Sequence, residues 1–74
     1  MKRTLVNLTN NEEGLILSIE GGRAARAKLE ALGIRPGKKI RKMSSQIFKG
    51  PVVIEINGRD IALGYGLANK VIVK

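Results

Sequence analysis

Two stretches of the chain alternate apolar and polar residues with a period of two, and a third stretch between them has helical character. The first alternation places Leu15, Leu17 and Ile19 on one face and sends the intervening side chains to the other. A period of two is typical of a β-strand with one buried face. The sequence therefore predicts a strand here that ends at Gly21-Gly22.

Residues 23–32 are strong helix formers without a β-branched side chain. Ala25, Leu29 and Leu32 fall at positions i, i+4 and i+7, so they form one apolar stripe along a helix. The sequence therefore predicts a helix over residues 23–32 whose stripe packs against a core.

The end of this helix carries a specific signal. Gly33 can adopt the left-handed conformation that ends many helices, and Ile34 would then contact Leu29 in a Schellman cap. Pro36-Gly37 prevents the helix from continuing and favours a turn. The sequence predicts a helix stop followed directly by a turn.

The segment after the turn is less regular. Residues 38–44 are predicted as a strand with Ile40 facing inward, although their alternation is poor. Residues 45–51 are predicted as a loop that ends in Gly50-Pro51.

The second clear alternation covers residues 52–56 and runs into Asn57-Gly58, a pair that favours a two-residue type I′ hairpin. In that register the apolar positions of the two flanking strands face each other. The same register places Glu55 opposite Asp60, and this like-charge pair argues against it. The hairpin is the favoured interpretation.

The remaining residues complete a mainly β fold. Residues 64–69 predict a turn or a single helical turn, and residues 71–73 predict a closing strand. About five short strands with one helix inserted between early strands suit a small antiparallel barrel, since no residues remain for crossover helices. A chain of 74 residues predicts one domain, residues 1–74.

The charge of the chain is uneven. The 14 basic residues exceed the 6 acidic ones and give a net charge of +8, yet residues 31–54 contain no acid. Such a local field attracts phosphates, anionic lipid headgroups or an acidic protein face, and a solvated solubilising face is the alternative. The bases of this stretch are Arg35, Lys38, Lys39, Arg41, Lys42 and Lys49.

Catalysis and tight metal binding have little support. The absence of histidine and cysteine excludes thiolate zinc sites, disulfides and every His or Cys nucleophile or base. Gly33 to Lys39 fails the phosphate-loop pattern because only three residues separate its glycines. We expect no enzyme activity and no cofactor, with at most a weak association with divalent metal ions through oxygen ligands.

Nucleic-acid recognition is also poorly supported. Basic residues supply phosphate contacts, but single-strand readout normally adds stacking aromatic side chains. Phe48 and Tyr65 are the only aromatic residues in the chain.

A series of glycines, prolines and apolar positions occurs in a characteristic order: Gly21-Gly22, Leu29-x-x-Leu32-Gly33-Ile34-x-Pro36-Gly37, Gly50-Pro51, Asn57-Gly58 and Ile61-Ala62-Leu63-Gly64. This order resembles the FeoA family, the small ferrous iron transport protein A of bacteria and archaea, over residues 4–73. The resemblance implies a partly open SH3-like β-barrel and a cytosolic accessory of FeoB, a membrane GTPase that moves Fe²⁺ inward. The same kind of domain is attached to metal-dependent repressors, so the resemblance also implies an alternative metal-sensing role.

We therefore expect a cytoplasmic protein that binds and modulates a FeoB-like transporter by protein–protein contact. It could lie at the inner face of the membrane, beside anionic lipid. A nucleic-acid-binding or metal-sensing module is the alternative, and exposed strand edges could pair between copies. The candidate partner-binding residues are Arg35, Lys38, Lys39, Arg41, Lys42, Phe48 and Lys49.

Overall fold

Six strands form one antiparallel sheet in the computed structural model, which describes residues 3–45 and 49–74; the side chain of Ser45 lies outside this description. The strand order is β1-β6-β2-β3-β4-β5, and the two edge strands are not paired with each other. The sheet is therefore not closed, as the resemblance implied. The elements are β1 (Arg3–Thr4), a 3₁₀ turn (Leu5–Asn7), β2 (Glu13–Ile19), α1 (Arg23–Ala31), β3 (Lys39–Ser45), β4 (Val52–Ile56), β5 (Arg59–Leu63), α2 (Tyr65–Ala68) and β6 (Val71–Val73).

The core lies on the inner face of this sheet and is covered by α1 and the 3₁₀ turn. Leu5 on the 3₁₀ turn and Leu29 on α1 are completely buried, and both pack with the inward side chains of the strands. Within the described ranges, neither α helix is long and apolar enough to cross a membrane.

The predicted facing of β2 is wrong in part. Ile16 and Ile19 are buried, whereas Leu17 is 47% exposed. The register of β2 against β6 shifts between Ile16 and Ser18, which marks a β-bulge. One extra residue in a strand reverses the facing of every side chain beyond it. The pattern at positions 15, 17 and 19 therefore does not describe a single buried face.

The predicted end of α1 is confirmed. Gly33 has φ +89°, and its N–H donates to Glu30 O at 2.9 Å. The N–H of Ile34 donates to Leu29 O at 3.0 Å, and both side chains are completely buried. These two hydrogen bonds define a Schellman motif with its apolar contact.

The predicted hairpin is confirmed as well. Asn57 and Gly58 have φ 54° and 76°, as a type I′ turn requires, and Glu55 does pair with Asp60. The Nε of Arg41 on the neighbouring strand lies 3.8 Å from Glu55 Oε1, which offsets the like-charge contact. The predicted helical turn and closing strand correspond to α2 and β6.

Candidate docking surface

A tight turn presents three of the predicted contact residues to solvent. Pro36 and Gly37 form the turn, Gly37 has φ +90°, and the N–H of Lys38 donates to Arg35 O at 3.2 Å. Arg35, Lys38 and Lys39 are all exposed. We call these three residues the basic turn.

The basic turn is fixed to the sheet by its backbone. The N–H of Gly37 donates to Ile16 O at 2.8 Å, and the N–H of Ile16 donates to Lys38 O at 2.9 Å. These hydrogen bonds hold the turn against β2, so its cations are presented from a fixed backbone. A fixed backbone lowers the ordering cost of binding a partner.

Lys49 is exposed as predicted, but its side chain points toward an aromatic ring. Its Nζ lies 5.8 Å from the centroid of the Tyr65 ring, which is within the range of a cation–π contact. The contact connects the segment before β4 with α2. The Lys49 ammonium group is therefore already in contact with an aromatic ring of the same protein.

Arg41 is partly neutralised by its neighbours. Its Nη2 lies 3.0 Å from Glu13 Oε2, and its Nε lies 3.8 Å from Glu55 Oε1. Its Nη1 also donates to Asn11 O at 3.2 Å. Exposed ion pairs of this type contribute only about 0–1 kcal/mol each, yet they reduce the field that a partner would feel.

Lys42 does not belong to an exposed basic surface, and the expectation that it does is wrong. The residue is only 4% exposed. Its Nζ donates to Val6 O at 3.0 Å and to Leu8 O at 2.7 Å. Burial lowers the pKa of Lys42, and the charge of Glu12 opposes that shift. The cause is the period of β3, which places Ile40 and Lys42 on the same inner face.

Phe48 lies outside the described residues, so its predicted role as a contact stays a prediction.

Among the described residues, no three acidic side chains come together in a group that could hold a metal ion. The described residues therefore contain no ligand set for the weak association with divalent metal ions that the sequence allowed.

Sequence reasoning missed part of the surface beside the basic turn. Leu15 on β2 has Lys39 as its Cα partner on β3, and it exchanges both backbone hydrogen bonds with Lys74, at 3.2 and 2.9 Å. Leu15, Lys39 and Lys74 therefore lie side by side on the outer face, next to the exposed Leu17. Leu17 follows Leu15 on this face by the ordinary alternation of a strand, so the sequence pattern grouped the two leucines correctly but placed them on the wrong side of the sheet.

The predicted motif residues mainly shape turns and helix ends. Gly22 and Gly64 are the N-cap residues of α1 and α2, Gly50-Pro51 precedes β4, and Ala62 pairs with Val53 in the hairpin. In Gly21 the backbone is again left-handed, with φ +105°. None of these positions brings a reactive side chain to the surface.

Comparison with known proteins identifies the family. The sequence profile of the FeoA domain matches residues 3–74. A Methanocaldococcus jannaschii protein named "Putative Fe(2+) transport protein A" is 38% identical over 63 residues, which are 85% of this chain and 74% of that protein.

Solved structures agree with this assignment. The crystal structure of an iron uptake regulatory protein, FeoA, has a TM-score of 0.88 and 35% identity, covering 100% of this chain and 96% of that one. This likeness confirms the SH3-like fold. A manganese-dependent transcriptional repressor also has a TM-score of 0.88, but at 19% identity and over 40% of its own chain, so that likeness concerns the fold alone. The chain belongs to the FeoA domain family, which is associated with ferrous iron transport.

Proposed function

We propose that this protein is a cytosolic accessory of ferrous iron uptake that binds the cytosolic side of a FeoB-like membrane transporter and modulates it. The observation that carries the proposal is the basic turn, whose three exposed cations stand on a backbone that is hydrogen-bonded to β2. The family membership supplies the transport context.

Electrostatics favours an acidic protein face as the docking partner. Residues 31–54 contain no acidic side chain that could neutralise the basic turn from within the same segment. A concentrated field of one sign raises the rate of encounter with a surface of the opposite sign and opposes wrong partners. The docking is therefore expected to weaken with salt, because exposed charges are screened beyond about 8 Å at physiological ionic strength.

The alternative of a metal-sensing module rests on the fold shared with the manganese-dependent repressor. The described ranges bring no three acidic side chains together, and the chain has no His or Cys ligand. Docking through the basic turn is therefore the better supported function.

A capture experiment tests the proposal. The cytosolic domain of a FeoB-like transporter is immobilised and offered the wild type or a variant with Arg35→Glu, Lys38→Glu and Lys39→Glu. The matched control carries Arg23→Glu, Arg26→Glu and Lys28→Glu, three exposed bases of α1 whose reversal changes the net charge equally.

We expect the immobilised domain to capture the wild type and the α1 control, and not to capture the variant in the basic turn. If the two variants are captured equally, the basic turn is not the contact surface. Failure to capture the wild type at low salt would contradict the docking itself.

A further inference from the structure

The outer face of β2 combines apolar and cationic side chains. Leu15 is half-buried and lies between Lys39 on β3 and Lys74 at the end of the chain, because both are its direct cross-strand neighbours. Directly opposed residues of antiparallel strands have Cβ atoms about 4.5–5.5 Å apart. An apolar position is thus bordered by a cation on each side.

Strand alternation adds a second apolar side chain to this face. Leu17 is 47% exposed, and no other large apolar side chain in the described residues reaches that class of exposure. The bulge lies between Ile16 and Ser18, where the backbone of Ile16 is hydrogen-bonded to the Gly37–Lys38 segment. With Ile16 inward, Leu15 and Leu17 both face outward, and the bulge returns Ile19 to the core. The two leucines therefore lie together on the outer face beside the basic turn.

The charge around these leucines is positive. Glu13 lies on the same face, but its carboxylate is engaged by Arg41 at 3.0 Å. Lys38, Lys39 and Lys74 are exposed. A surface with an apolar centre and a cationic rim is complementary to an acidic segment that carries an apolar side chain.

We propose that Leu15 and Leu17, together with Lys38, Lys39 and Lys74, form a docking surface for an acidic segment of a partner protein that places an apolar side chain against the two leucines. We call these five residues the leucine–lysine surface. This inference rests on the proposed function and locates the contact with the transporter more narrowly. The leucines supply contact area, and the lysines select the charge of the partner.

The first arm of the test measures affinity for the cytosolic domain of a FeoB-like transporter. Leu17→Ser is expected to weaken binding about fivefold to tenfold, since about half of a leucine side chain is available for burial. Lys39→Glu with Lys74→Glu is expected to weaken binding further and to flatten its salt dependence. The controls are Ala27→Ser and Arg23→Glu with Arg26→Glu, all exposed positions on α1, and they should bind like the wild type.

The second arm uses a synthetic peptide with one leucine flanked by glutamates, titrated into the isotopically labelled protein. We expect the largest amide shifts at residues 15–18, 38–39 and 74, and their loss in Leu17→Ser. Shifts confined to α1, or equal shifts with the variant, would overturn the proposal.

The two arms separate this inference from the proposed function. Capture of the transporter domain that Leu17→Ser leaves unchanged overturns the leucine–lysine surface and leaves the proposed function standing. Peptide binding at the surface without capture of the domain supports the surface and contradicts the transporter as partner. Binding to phosphatidylserine vesicles that depends on Leu17, with the affinity for the domain unaffected, would assign the surface to the membrane and overturn the proposal.

Discussion

Lys42 is a cation held inside the protein by backbone oxygens. Its Nζ is hydrogen-bonded to the carbonyl groups of Val6 and Leu8, which belong to the 3₁₀ turn and its C-cap. The side chain therefore fastens the N-terminal segment to β3, at a distance of more than thirty positions along the chain. Its position inside the fold gives it a structural role and removes it from the exposed basic surface.

Replacing Lys42 by methionine tests that role. Lys42→Met keeps an unbranched side chain but leaves the carbonyl groups of Val6 and Leu8 without their donor. A buried acceptor that loses its partner costs about 1–3 kcal/mol, so we expect the free energy of unfolding to fall by about that amount. Urea denaturation measures it.

The control is Lys39→Met, on the outer face of β3, which should change the free energy of unfolding by less than about 0.5 kcal/mol. Equal losses in the two variants would contradict the role assigned to Lys42.

Glu12 fixes the loop that leads into β2. Its carboxylate accepts from the Thr9 N–H at 2.9 Å and from Arg3 Nη2 at 2.9 Å. The hydrogen bond from the Thr9 backbone, and then that from Arg3, lowers the pKa of Glu12. The ionised carboxylate therefore favours the folded protein.

This lowered pKa predicts a specific dependence on acid. The unfolded chain takes up the proton first, near the ordinary pKa of about 4.3. The contribution of Glu12 is therefore complete above that pH, and it is lost as the pH falls through the lower folded pKa. Glu12→Gln should show a shallower fall of the free energy of unfolding on acidification, measured by urea titration at several pH values. In Arg3→Gln the fall of the free energy of unfolding should be intermediate between those of Glu12→Gln and the wild type. If Glu12→Gln falls as steeply as the wild type, Glu12 is not the group responsible.

Helix α1 ends because one residue adopts a left-handed backbone. Gly33→Ala would put a Cβ at φ +89°, where its nearest neighbours are side-chain atoms of Asn57 and Arg59 at 3.4 and 3.5 Å. Space is sufficient, so the cost is backbone strain of about 1–2 kcal/mol. We expect the variant to unfold at correspondingly lower urea concentration.

Gly66→Ala is the matched control for this prediction. Gly66 lies in α2 with nothing within 4 Å of an added Cβ. Alanine is favoured over glycine in a helix by about 0.5–1 kcal/mol, so this change should stabilise the protein slightly. The two substitutions should change the free energy of unfolding in opposite directions. If Gly33→Ala is neutral or stabilising, backbone strain at Gly33 is contradicted.

The elements that could be predicted from the sequence are those with local signals. The Schellman end at Gly33 and the Asn57-Gly58 hairpin depend on residues within a few positions of each other, so the pattern was sufficient for both. Strand β1 has two residues and its pairing depends on β6, at the other end of the chain, so the sequence offered no local signal.

The candidate site was predicted less completely, for two physical reasons. Leu15, Ile16 and Leu17 are all apolar, so the pattern could not choose between two phases of β2 or reveal the bulge. Lys42 could have been placed correctly, since Ile40 was expected to face inward and a strand returns to the same face after two residues. The prediction from charge alone therefore counted the buried Lys42 as part of the exposed basic surface.

The whole molecule carries its positive charge mainly in the middle of the sequence, and the open sheet presents part of it as the basic turn. The edge strands β1 and β5 each have one neighbour in the described sheet, so pairing between copies stays a prediction. The account as a whole depends on recognition of a transporter by a surface that has a fixed shape and charge.

Uptake of ferrous iron by cells tests that account most directly. The gene is deleted in the organism that carries it. Radiolabelled Fe²⁺ uptake is then measured after return of the wild type, of the α1 control, or of the variant with Arg35→Glu, Lys38→Glu and Lys39→Glu. We predict that deletion changes uptake, that the wild type and the α1 control restore it, and that the variant in the basic turn does not. Full restoration by that variant, at equal protein levels, would contradict the central claim.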